Sequence, residues 1–417
     1  MRILIHGINF APELTGIGKY SGEMAEWFAS RGHEVRVVTA PPYYPQWRIA
    51  EGYANWWCRE KGEGGRQNKG GLIVYRCPLW VPSGPSGVKR LLHLASFALS
   101  SFPVMLSQLF WRPDVVMVIE PALMCAPAAL LLARLSATKS WLHIQDFEVD
   151  AAFDMGILKS GWLRKLVLNI EQCLMRSFER VSTISPNMLA KLQEKKLESC
   201  KTVLFPNWVD LEVIFPLNAP SPMRAELGIA DNKIVALYSG NMGEKQGLEV
   251  VLEAAKHLVH SDNIQFVLCG EGAAKQHLRG IYSALTNVLW LPLQPFEKLN
   301  NLLNMADIHL LPQRADVADL VMPSRLTGML ASGCSVVATA NAGTQVAEVV
   351  VQCGIVVAPG DAHALAQAVI KLGSNETMRT EFGEKARAYA FANLEKNIIL
   401  TRLEEDISDA MKNEKTP

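Results

Sequence analysis

Residues 233–272 read KIVALYSGNMGEKQGLEVVLEAAKHLVHSDNIQFVLCGEG, and this stretch decides the fold. An apolar run of strand length (233–240) ends in a glycine-containing loop, and apolar residues at helical spacing follow it (248–259). A second apolar run (264–270) then ends in another glycine. A strand, a crossover helix and a second strand make a βαβ unit, so the stretch predicts a parallel sheet with helices on its faces.

The same alternation continues to both ends of the chain. Later apolar runs predict strands at 288–292, 308–312, 335–339 and 354–358, separated by helices at about 296–305, 324–332 and 363–373. Earlier runs predict strands at 2–7, 34–40, 72–77, 114–120, 140–146 and 180–185, with helices such as 20–31 and 163–180 between them. Two complete series predict an α/β protein with two Rossmann-like, doubly wound parallel-sheet domains that face each other across a cleft.

Proline, asparagine and serine accumulate between the two series, in PNWVDLEVIFPLNAPSPMRAELG (206–228). Such a composition is typical of an interdomain linker. We therefore expect an amino-terminal domain at 1–206 and a carboxyl-terminal domain at 207–375. No strand follows the last helical stretch, 376–417, so we expect this segment to pack back on the first domain.

Composition excludes several classes of function. Lys and Arg number 41 and Asp and Glu number 41, so no basic surface for nucleic acid is indicated. The eight cysteines contain no C-x-x-C pair and predict reduced core thiols, not a disulfide framework or a zinc site. The apolar run in MRILIHGINF is too short for a signal peptide, so we expect a cytoplasmic protein.

Glycines follow the first predicted strand of each half. Gly16 and Gly18 precede the helix at 20–31, and Gly240, Asn241 and Gly243 precede the helix at 248–259. The unpaired N–H groups at a helix N-terminus bind phosphate, which makes both loops candidate phosphate sites. A helix entry that binds no ligand is the alternative for either loop, because one glycine loop is a weak signal.

Arg325 is a second candidate for binding an anion. In MPSRLTGML (322–330), Ser324 is a plausible N-cap and Arg325 falls in the first helical turn, where a cation opposes the helix dipole. A bond from a guanidinium to a phosphate contributes about 1.5–3 kcal/mol, which outweighs that dipole effect. A surface arginine without a ligand is the alternative.

Polar residues also stand at the exit of a first-half strand, in SWLHIQDFEVD (140–150). Strand alternation puts His143 and Gln145 on one face, and Asp146 at the exit is the better candidate for contacting a sugar hydroxyl. A core histidine beneath a loop is an equal alternative for His143.

The segment VKRLLHLASFALSSFPVMLSQLFWRPD (88–114) suggests contact with a membrane. Lys89 and Arg90 begin a stretch long enough to span a bilayer, but Pro103, the serines and the strand that follows argue against a span. We expect a helix or helix pair that is partly core and partly interfacial, with buried core as the alternative.

These elements together resemble the retaining glycosyltransferase family four, through nearly the whole chain. The two glycine loops, PNWVDLEVIF (206–215), VLCGEG (267–272), MADIHLLP (305–312) and LASGCSVVAT (330–339) occur in the family's order and spacing. GNMGEKQGLE (240–249) and MPSRL (322–326) resemble the branch that builds bacterial O-antigen and capsule sugars, in particular the enzymes of colanic-acid exopolysaccharide synthesis.

The resemblance implies the GT-B fold and a nucleoside-diphosphate sugar bound by the second domain, GDP-fucose being the usual proposal for the colanic-acid enzyme. Gly270 and Glu271 of VLCGEG join the candidate donor site on this ground. The first domain would bind the acceptor, a polyprenyl-diphosphate-linked sugar at the inner membrane. Transfer would retain the anomeric configuration and need no metal or other cofactor.

This chain departs from the family pattern at several positions. Asn241 and Gln246 stand where the family carries Arg and Lys, and Gln145 aligns best with its catalytic histidine. The second of the paired glutamates would fall on Gly328. We therefore assign the charge of the leaving group to Arg325, helped by Lys245 and the Gly243 backbone, and leave open whether His143 or Gln145 acts in catalysis.

Two other functions fit the same fold. A sugar-nucleotide epimerase would act without an acceptor, and a non-catalytic subunit would bind the donor or the polymer and scaffold other transferases. A dinucleotide dehydrogenase is disfavoured, because no strict G-x-G-x-x-G follows the first strand.

Overall fold

A computed structural model describes residues 1–13, 16–62, 71–84, 87–121, 123–147, 161–243, 246–315 and 323–412. The chain divides into two compact units. The first comprises Met1–Pro206 and Leu400–Pro417, and the second comprises Asn207–Ile399.

The first unit contains an eight-stranded sheet. The strands are β1 (Arg2–His6), β2 (Glu34–Thr39), β3 (Cys58–Lys61), β4 (Leu72–Arg76), β5 (Val115–Glu120), β6 (Lys139–Ile144), β7 (Arg180–Thr183) and β8 (Thr202–Leu204), in the order β3-β4-β2-β1-β5-β6-β7-β8. Only the β3–β4 pair is antiparallel among these strands. Sequence periodicity did not predict the edge strands β3 and β8, because β3 is polar and mostly exposed and β8 has 3 residues.

In the described part of this unit, five helices connect the strands. They are α1 (Ile17–Ser30), α2 (Gly87–Ser107), α3 (Ala126–Ser136), α4 (Gly161–Ser177) and α5 (Pro186–Glu194). Helix α2 continues into a short 3-10 turn, Gln108–Phe110.

The second unit contains a six-stranded sheet that is parallel throughout. Its strands are β9 (Ile234–Ser239), β10 (Ile264–Cys269), β11 (Val288–Leu291), β12 (Ile308–Leu311), β13 (Ser335–Thr339) and β14 (Gly354–Val357), in the order β11-β10-β9-β12-β13-β14. The apolar runs predicted all six, because strands buried on both faces read as continuous hydrophobic segments.

The helices of the second unit begin at polar caps in several cases. They are α6 (Pro222–Glu226), α7 (Leu248–His257), α8 (Lys275–Ile281), α9 (Leu299–Asn304), α10 (Ser324–Ala331), α11 (Gln345–Cys353), α12 (Ala362–Gly373) and α13 (Glu376–Asn393). The side chains of Thr344, Asp361 and Asn375 accept hydrogen bonds from backbone N–H groups in the first turns of α11, α12 and α13. Each such cap stabilises its helix by about 1 kcal/mol.

The carboxyl-terminal segment differs from the prediction. Residues 376–399 belong to the second unit, where Arg387 on α13 donates hydrogen bonds to the carbonyl oxygens of Ile214 (2.8 Å) and Ala331 (2.6 Å). The last helix, α14 (Lys396–Lys412), joins the first unit only from Leu400 onward. The expected packing on the first domain therefore starts later than residue 376, because the hydrogen bonds of Arg387 hold α13 to the second unit.

The cysteines are free, but three of them are not core residues. Cys58, Cys173 and Cys200 are exposed, whereas Cys77 and Cys125 are among the buried ones. The expectation that they are reduced core thiols is therefore wrong for the exposed three.

In the part of the chain that the structure describes, one helix is long and apolar enough to cross a membrane, Gly87–Phe110. A core helix can meet the same length and composition criteria. Its inner face is buried, through His93, Leu94, Phe97, Ser101 and Met105.

Both sheets have a point where the strand order reverses, between β1 and β5 and between β9 and β12. Ligands of open α/β sheets bind beyond the carboxyl ends of the strands at such points. A ligand is therefore expected to bind at the loops that follow these strands.

Candidate functional site

Arg325 is anchored at the point where the second sheet reverses its strand order. It lies in the first turn of α10, and its guanidinium donates hydrogen bonds to the Tyr238 hydroxyl (2.7 Å) and to Oε1 of Gln246 (2.5 Å). Its Nε is buried and has no hydrogen-bond partner among the described residues. A cation is thus held at a fixed place beyond β9 and β12, with a donor still unpaired.

Tyr238 orients this arginine. It is fully buried in β9, its ring centre lies 5.2 Å from Cζ of Arg325, and its hydroxyl donates to the carbonyl oxygen of Asn241 (2.5 Å). Burial raises the pKa of the Tyr238 hydroxyl, against an opposing effect of Arg325. The phenol therefore stays neutral and links the cation to the loop that follows β9.

Glycines let two loops meet backbone to backbone beside Arg325. A Cβ on Gly270 would lie 1.9 Å from the carbonyl oxygen of Gly240, and a Cβ on Gly272 would lie 2.4 Å from the backbone of Met242. The Met242 N–H donates to the Glu271 carbonyl (2.8 Å), which fixes the two loops together. Gly270 and Gly272 are therefore required for the close approach of these two loops.

Gly243, Glu271 and Lys245 are the other donor-site candidates of the second unit. Gly243 lies in the same loop, and its carbonyl accepts a hydrogen bond from the Gln246 N–H (3.1 Å). Oε1 of Glu271 lies 2.7 Å from Nζ of Lys275, and the Glu271 side chain is largely exposed. Lys245 lies outside the described residues.

Ser324 does not cap α10 as the sequence suggested. The N-cap position is Pro323, no side chain caps the helix, and Ser324 is the first helical residue. Among the described residues no side chain caps the first turn of α10 beside Arg325, although the Leu326 N–H donates to the Pro323 carbonyl (2.9 Å).

A carboxylate lies beside the loop of Gly16 and Gly18 in the first unit. Gly16 is the N-cap of α1, with a positive φ of 62°. A Cβ on Gly18 would lie 2.6 Å from Oε2 of Glu13, which is itself buried. An anion already next to this turn offsets the helix dipole that a phosphate would use.

Glu13 joins two loops at the carboxyl edge of the first sheet. Its Oε1 accepts hydrogen bonds from the backbone N–H groups of Tyr43 and Tyr44 (both 3.1 Å), and its Oε2 accepts from Nδ2 of Asn9 (2.9 Å). Burial raises the pKa of the Glu13 carboxyl, although these hydrogen bonds act in the opposite direction. Glu13 thus fixes the loop after β1 against the loop after β2.

The strand-exit candidates of the first unit have different surroundings. His143 is buried, with Nδ1 2.9 Å from the Ser182 hydroxyl and its ring centre 4.7 Å from that of Phe205. Burial lowers the pKa of His143 to about 3, so the ring is neutral. Gln145 is also buried, whereas Asp146 is exposed. Of the three, Asp146 is the one that a ligand can reach directly.

Sequence reasoning overlooked Tyr238 and Glu13. Two signals in the sequence could have identified them. One is a tyrosine two residues before a glycine loop, in LYSG (237–240), and the other is a carboxylate between a strand and a glycine loop, in PELTGIG (12–18). Each is a polar group at the carboxyl end of a central strand, where ligands bind.

Comparison with known proteins agrees with this architecture. Residues 15–208 match the model of glycosyl transferase 4-like domains, and residues 221–389 match that of glycosyl transferases group 1. The colanic acid biosynthesis glycosyl transferase WcaI of Escherichia coli K12 is 42% identical over 418 residues, which covers 98% of this chain and 100% of that protein.

Solved glycosyltransferase structures share the fold at low identity. Sucrose-phosphate synthase of Thermosynechococcus elongatus superposes with a TM-score of 0.75 at 16% identity, covering 99% of each chain. HepE of Anabaena in complex with UDP-glucose gives 0.69 at 14% identity, covering 98% of this chain and 100% of that one. The chain belongs to glycosyltransferase family four and has the GT-B fold.

Proposed function

We propose that this glycosyltransferase moves a sugar from a nucleoside-diphosphate sugar to a lipid-linked oligosaccharide in the synthesis of colanic-acid exopolysaccharide. The 42% identity with WcaI over the full chain supports the pathway. The observation that carries the chemistry is the Arg325 guanidinium, which Tyr238 and Gln246 hold beyond the carboxyl ends of two neighbouring strands.

The donor diphosphate would bind at Arg325. The unpaired Nε of Arg325 and the first turn of α10 at Ser324, which no described side chain caps, would provide donors to phosphate oxygens, and Gly240, Asn241 and Gly243 would bring backbone close to them. HepE was solved with UDP-glucose, which supports a nucleotide sugar in this fold. GDP-fucose is our proposed donor.

The transfer step needs charge stabilisation on the leaving group. As the bond to the anomeric carbon breaks, negative charge grows on the diphosphate, and a prepositioned guanidinium stabilises it without reorganisation. We propose that the reaction needs no obligatory metal because Arg325 supplies that charge. Attack by the acceptor hydroxyl on the face of the departing phosphate would retain the anomeric configuration.

The acceptor would bind in the first unit. Asp146 is exposed at the exit of β6 and is our candidate to contact a sugar hydroxyl. His143 and Gln145 lie beneath it in the core, and they would act by positioning the strand exit. A polyprenyl-diphosphate-linked sugar is the proposed acceptor, with a cytoplasmic protein that contacts the inner membrane through residues 88–111.

An assay of transfer tests this proposal. Protein is incubated with labelled GDP-fucose and a membrane extract that contains lipid-linked acceptors, and label is counted in the lipid fraction. Incorporation supports a transferase, free isomer without an acceptor supports an epimerase, and nucleotide binding without either product supports a scaffold subunit.

The base of the donor is tested separately by thermal shift with GDP, UDP, ADP and dTDP. A ligand at about 100 times its dissociation constant stabilises the protein by roughly 2.7 kcal/mol. A shift with UDP and none with GDP would contradict the fucosyl donor and leave the transferase assignment intact.

A further inference from the structure

Three helices of the first unit expose apolar side chains. Helix α2 packs against α3, and α3 packs against α4. The exposed large hydrophobic residues of these helices are Val88, Leu92, Leu99 and Phe102 on α2, Leu131 and Leu135 on α3, and Trp162, Leu166 and Ile170 on α4. We call these nine residues the three-helix face.

The spacing of these residues places them on the outer side of each helix. Positions 162, 166 and 170 of α4 are separated by four, so they line one side, and their exposed fractions are 70%, 45% and 50%. Leu99 of α2 is 76% exposed, whereas Phe97 and Met105 of the same helix are fully buried. Helix α2 thus buries one apolar side and presents a second one outward, which a helix serving only the core does not need.

Apart from one buried glutamate, the charged residues of these helices are all basic. Their basic residues are Lys89, Arg90, Arg134, Arg164, Lys165 and Arg176. Their one acidic residue, Glu171, is 1% exposed and bonded to Lys195 at 2.6 Å. The whole chain has no net charge, so positive charge is concentrated on these helices.

We infer that the three-helix face is a docking surface for an anionic lipid bilayer, with α3 and α4 contributing beside α2. The inference rests on the proposed function, which places the acceptor in a membrane. Apolar side chains that enter the interface and basic residues that meet anionic headgroups act together in such binding. A second copy of the chain would bring two positive surfaces together, which charge repulsion disfavours.

Helix α2 lies on this surface and does not cross the bilayer. Its inner side is tied to the unit by a contact of the Ser101 hydroxyl with Nε2 of His6 (3.1 Å) and by the bond from Nε1 of Trp57 to the Ser100 carbonyl (3.0 Å). Trp56 and Trp57 are exposed near this end of the face. Tryptophan prefers the headgroup level, which fits a helix lying in the interface.

Vesicle sedimentation of the full chain tests the inference. The vesicles contain phosphatidylglycerol and phosphatidylethanolamine, or phosphatidylcholine alone. The α4 variant is Trp162→Ser, Leu166→Ser, Ile170→Ser, and the α2 variant is Lys89→Ser, Arg90→Ser. The matched control is Ile281→Ser, Val351→Ser, which removes side chains of similar exposure (59% and 64%) from the second unit.

We expect the α4 variant to bind anionic vesicles at least about tenfold more weakly than wild type. Each lost basic residue of the α2 variant should weaken binding by about fivefold. The control should bind like wild type, and all variants should keep the thermal shift produced by nucleoside diphosphate. Neutral vesicles and high salt should weaken wild-type binding.

Three results would overturn the inference. Normal vesicle binding by the α4 variant would limit the contact to α2 and leave the proposed function standing. A dimer in sedimentation velocity that the α4 variant loses would assign the face to a second copy. Wild type that stays in the supernatant would remove the membrane contact altogether, and transfer to a detergent-solubilised acceptor would then show whether the proposed activity survives.

Discussion

The guanidinium of Arg325 donates a hydrogen bond to the hydroxyl of Tyr238 at 2.7 Å, across 87 residues of sequence. Tyr238 is buried in β9 and cannot move without disturbing the sheet, so it sets where the cation lies. The second bond, to Gln246, reaches the loop after β9, where the family carries a lysine. The Arg325 guanidinium, which comes from α10, is therefore held against β9 and the loop that follows it.

Arg325→Ala should remove most of the affinity for nucleoside diphosphate. Loss of a guanidinium–phosphate bond costs about 1.5–3 kcal/mol, or roughly 10- to 150-fold in dissociation constant. Titration calorimetry with the diphosphate identified by the thermal-shift panel measures this loss. Arg279→Ala, an exposed arginine on α8, is the control. Unchanged binding by Arg325→Ala would rule out the assignment.

Gly270→Ala should disable the donor site through the backbone. The new Cβ would lie 1.9 Å from the Gly240 carbonyl oxygen, and the φ of 147° is strained for alanine. We expect a loss of about 1–3 kcal/mol in the free energy of unfolding together with weaker nucleotide binding. Gly280→Ala, whose Cβ would meet nothing within 4 Å, is the control, measured by urea unfolding and thermal shift. A variant as stable as wild type would show that the loops can separate freely.

Asp146→Asn should lower the transfer rate by orders of magnitude while nucleotide binding stays normal. The residue is exposed in the first unit, and the proposed donor-binding residues lie in the second. The substitution removes the negative charge of Asp146 and replaces a charged hydrogen-bond acceptor for a sugar hydroxyl with a neutral amide, which accepts more weakly. The exposed Asp262→Asn of the second unit is the control. Near-normal turnover of Asp146→Asn would exclude this residue from the site.

Gly18→Ala and Glu13→Ala should be energetically coupled. Alanine at 18 would place its Cβ 2.6 Å from Oε2 of Glu13, and loss of the carboxylate leaves the N–H groups of Tyr43 and Tyr44 unpaired. Each single change should destabilise by about 1–3 kcal/mol. The double variant should lose less than the sum, by about 0.5–3 kcal/mol. Additive losses in urea unfolding would mean that the two residues do not interact.

Acid should destabilise both units. Burial lowers the pKa of His6, His143 and His309 to about 3, from an ordinary value of 6.5. The unfolded chain therefore binds more protons than the folded chain between pH 6.5 and 3. The contribution of these histidines to the free energy of unfolding is fully present above pH 6.5 and is lost as the pH drops. Each histidine costs about 1.4 kcal/mol per pH unit in that window.

Urea unfolding between pH 7.5 and 4.5 measures this loss. His143→Gln should make the free energy of unfolding less dependent on pH, by the contribution of one proton. His277→Gln, at an exposed histidine of α8, is the control. Stability that does not vary with pH over this range would contradict the buried neutral state of these rings.

Local sequence patterns are enough to predict the two α/β series and the glycine loops. An apolar run or a helical period is a local property, because burial on one face acts on neighbouring residues of the same element. This is why all six strands of the second sheet were predicted, within a residue or two of their bounds. Short or polar edge strands such as Cys58–Lys61 have no such pattern and were missed.

The contacts within the candidate sites depend on tertiary packing. The bond from Arg325 to Gln246 joins residues 79 positions apart, and the bond from Tyr43 to Glu13 joins residues 30 apart. The sequence favoured a phosphate at Gly16 and Gly18, but packing brings the Glu13 carboxylate beside that turn. The sequence left open whether His143 is a site residue or a core histidine, and in the structure its ring is buried. Such pairings depend on how the helices and loops between strands pack, which local periodicity does not encode.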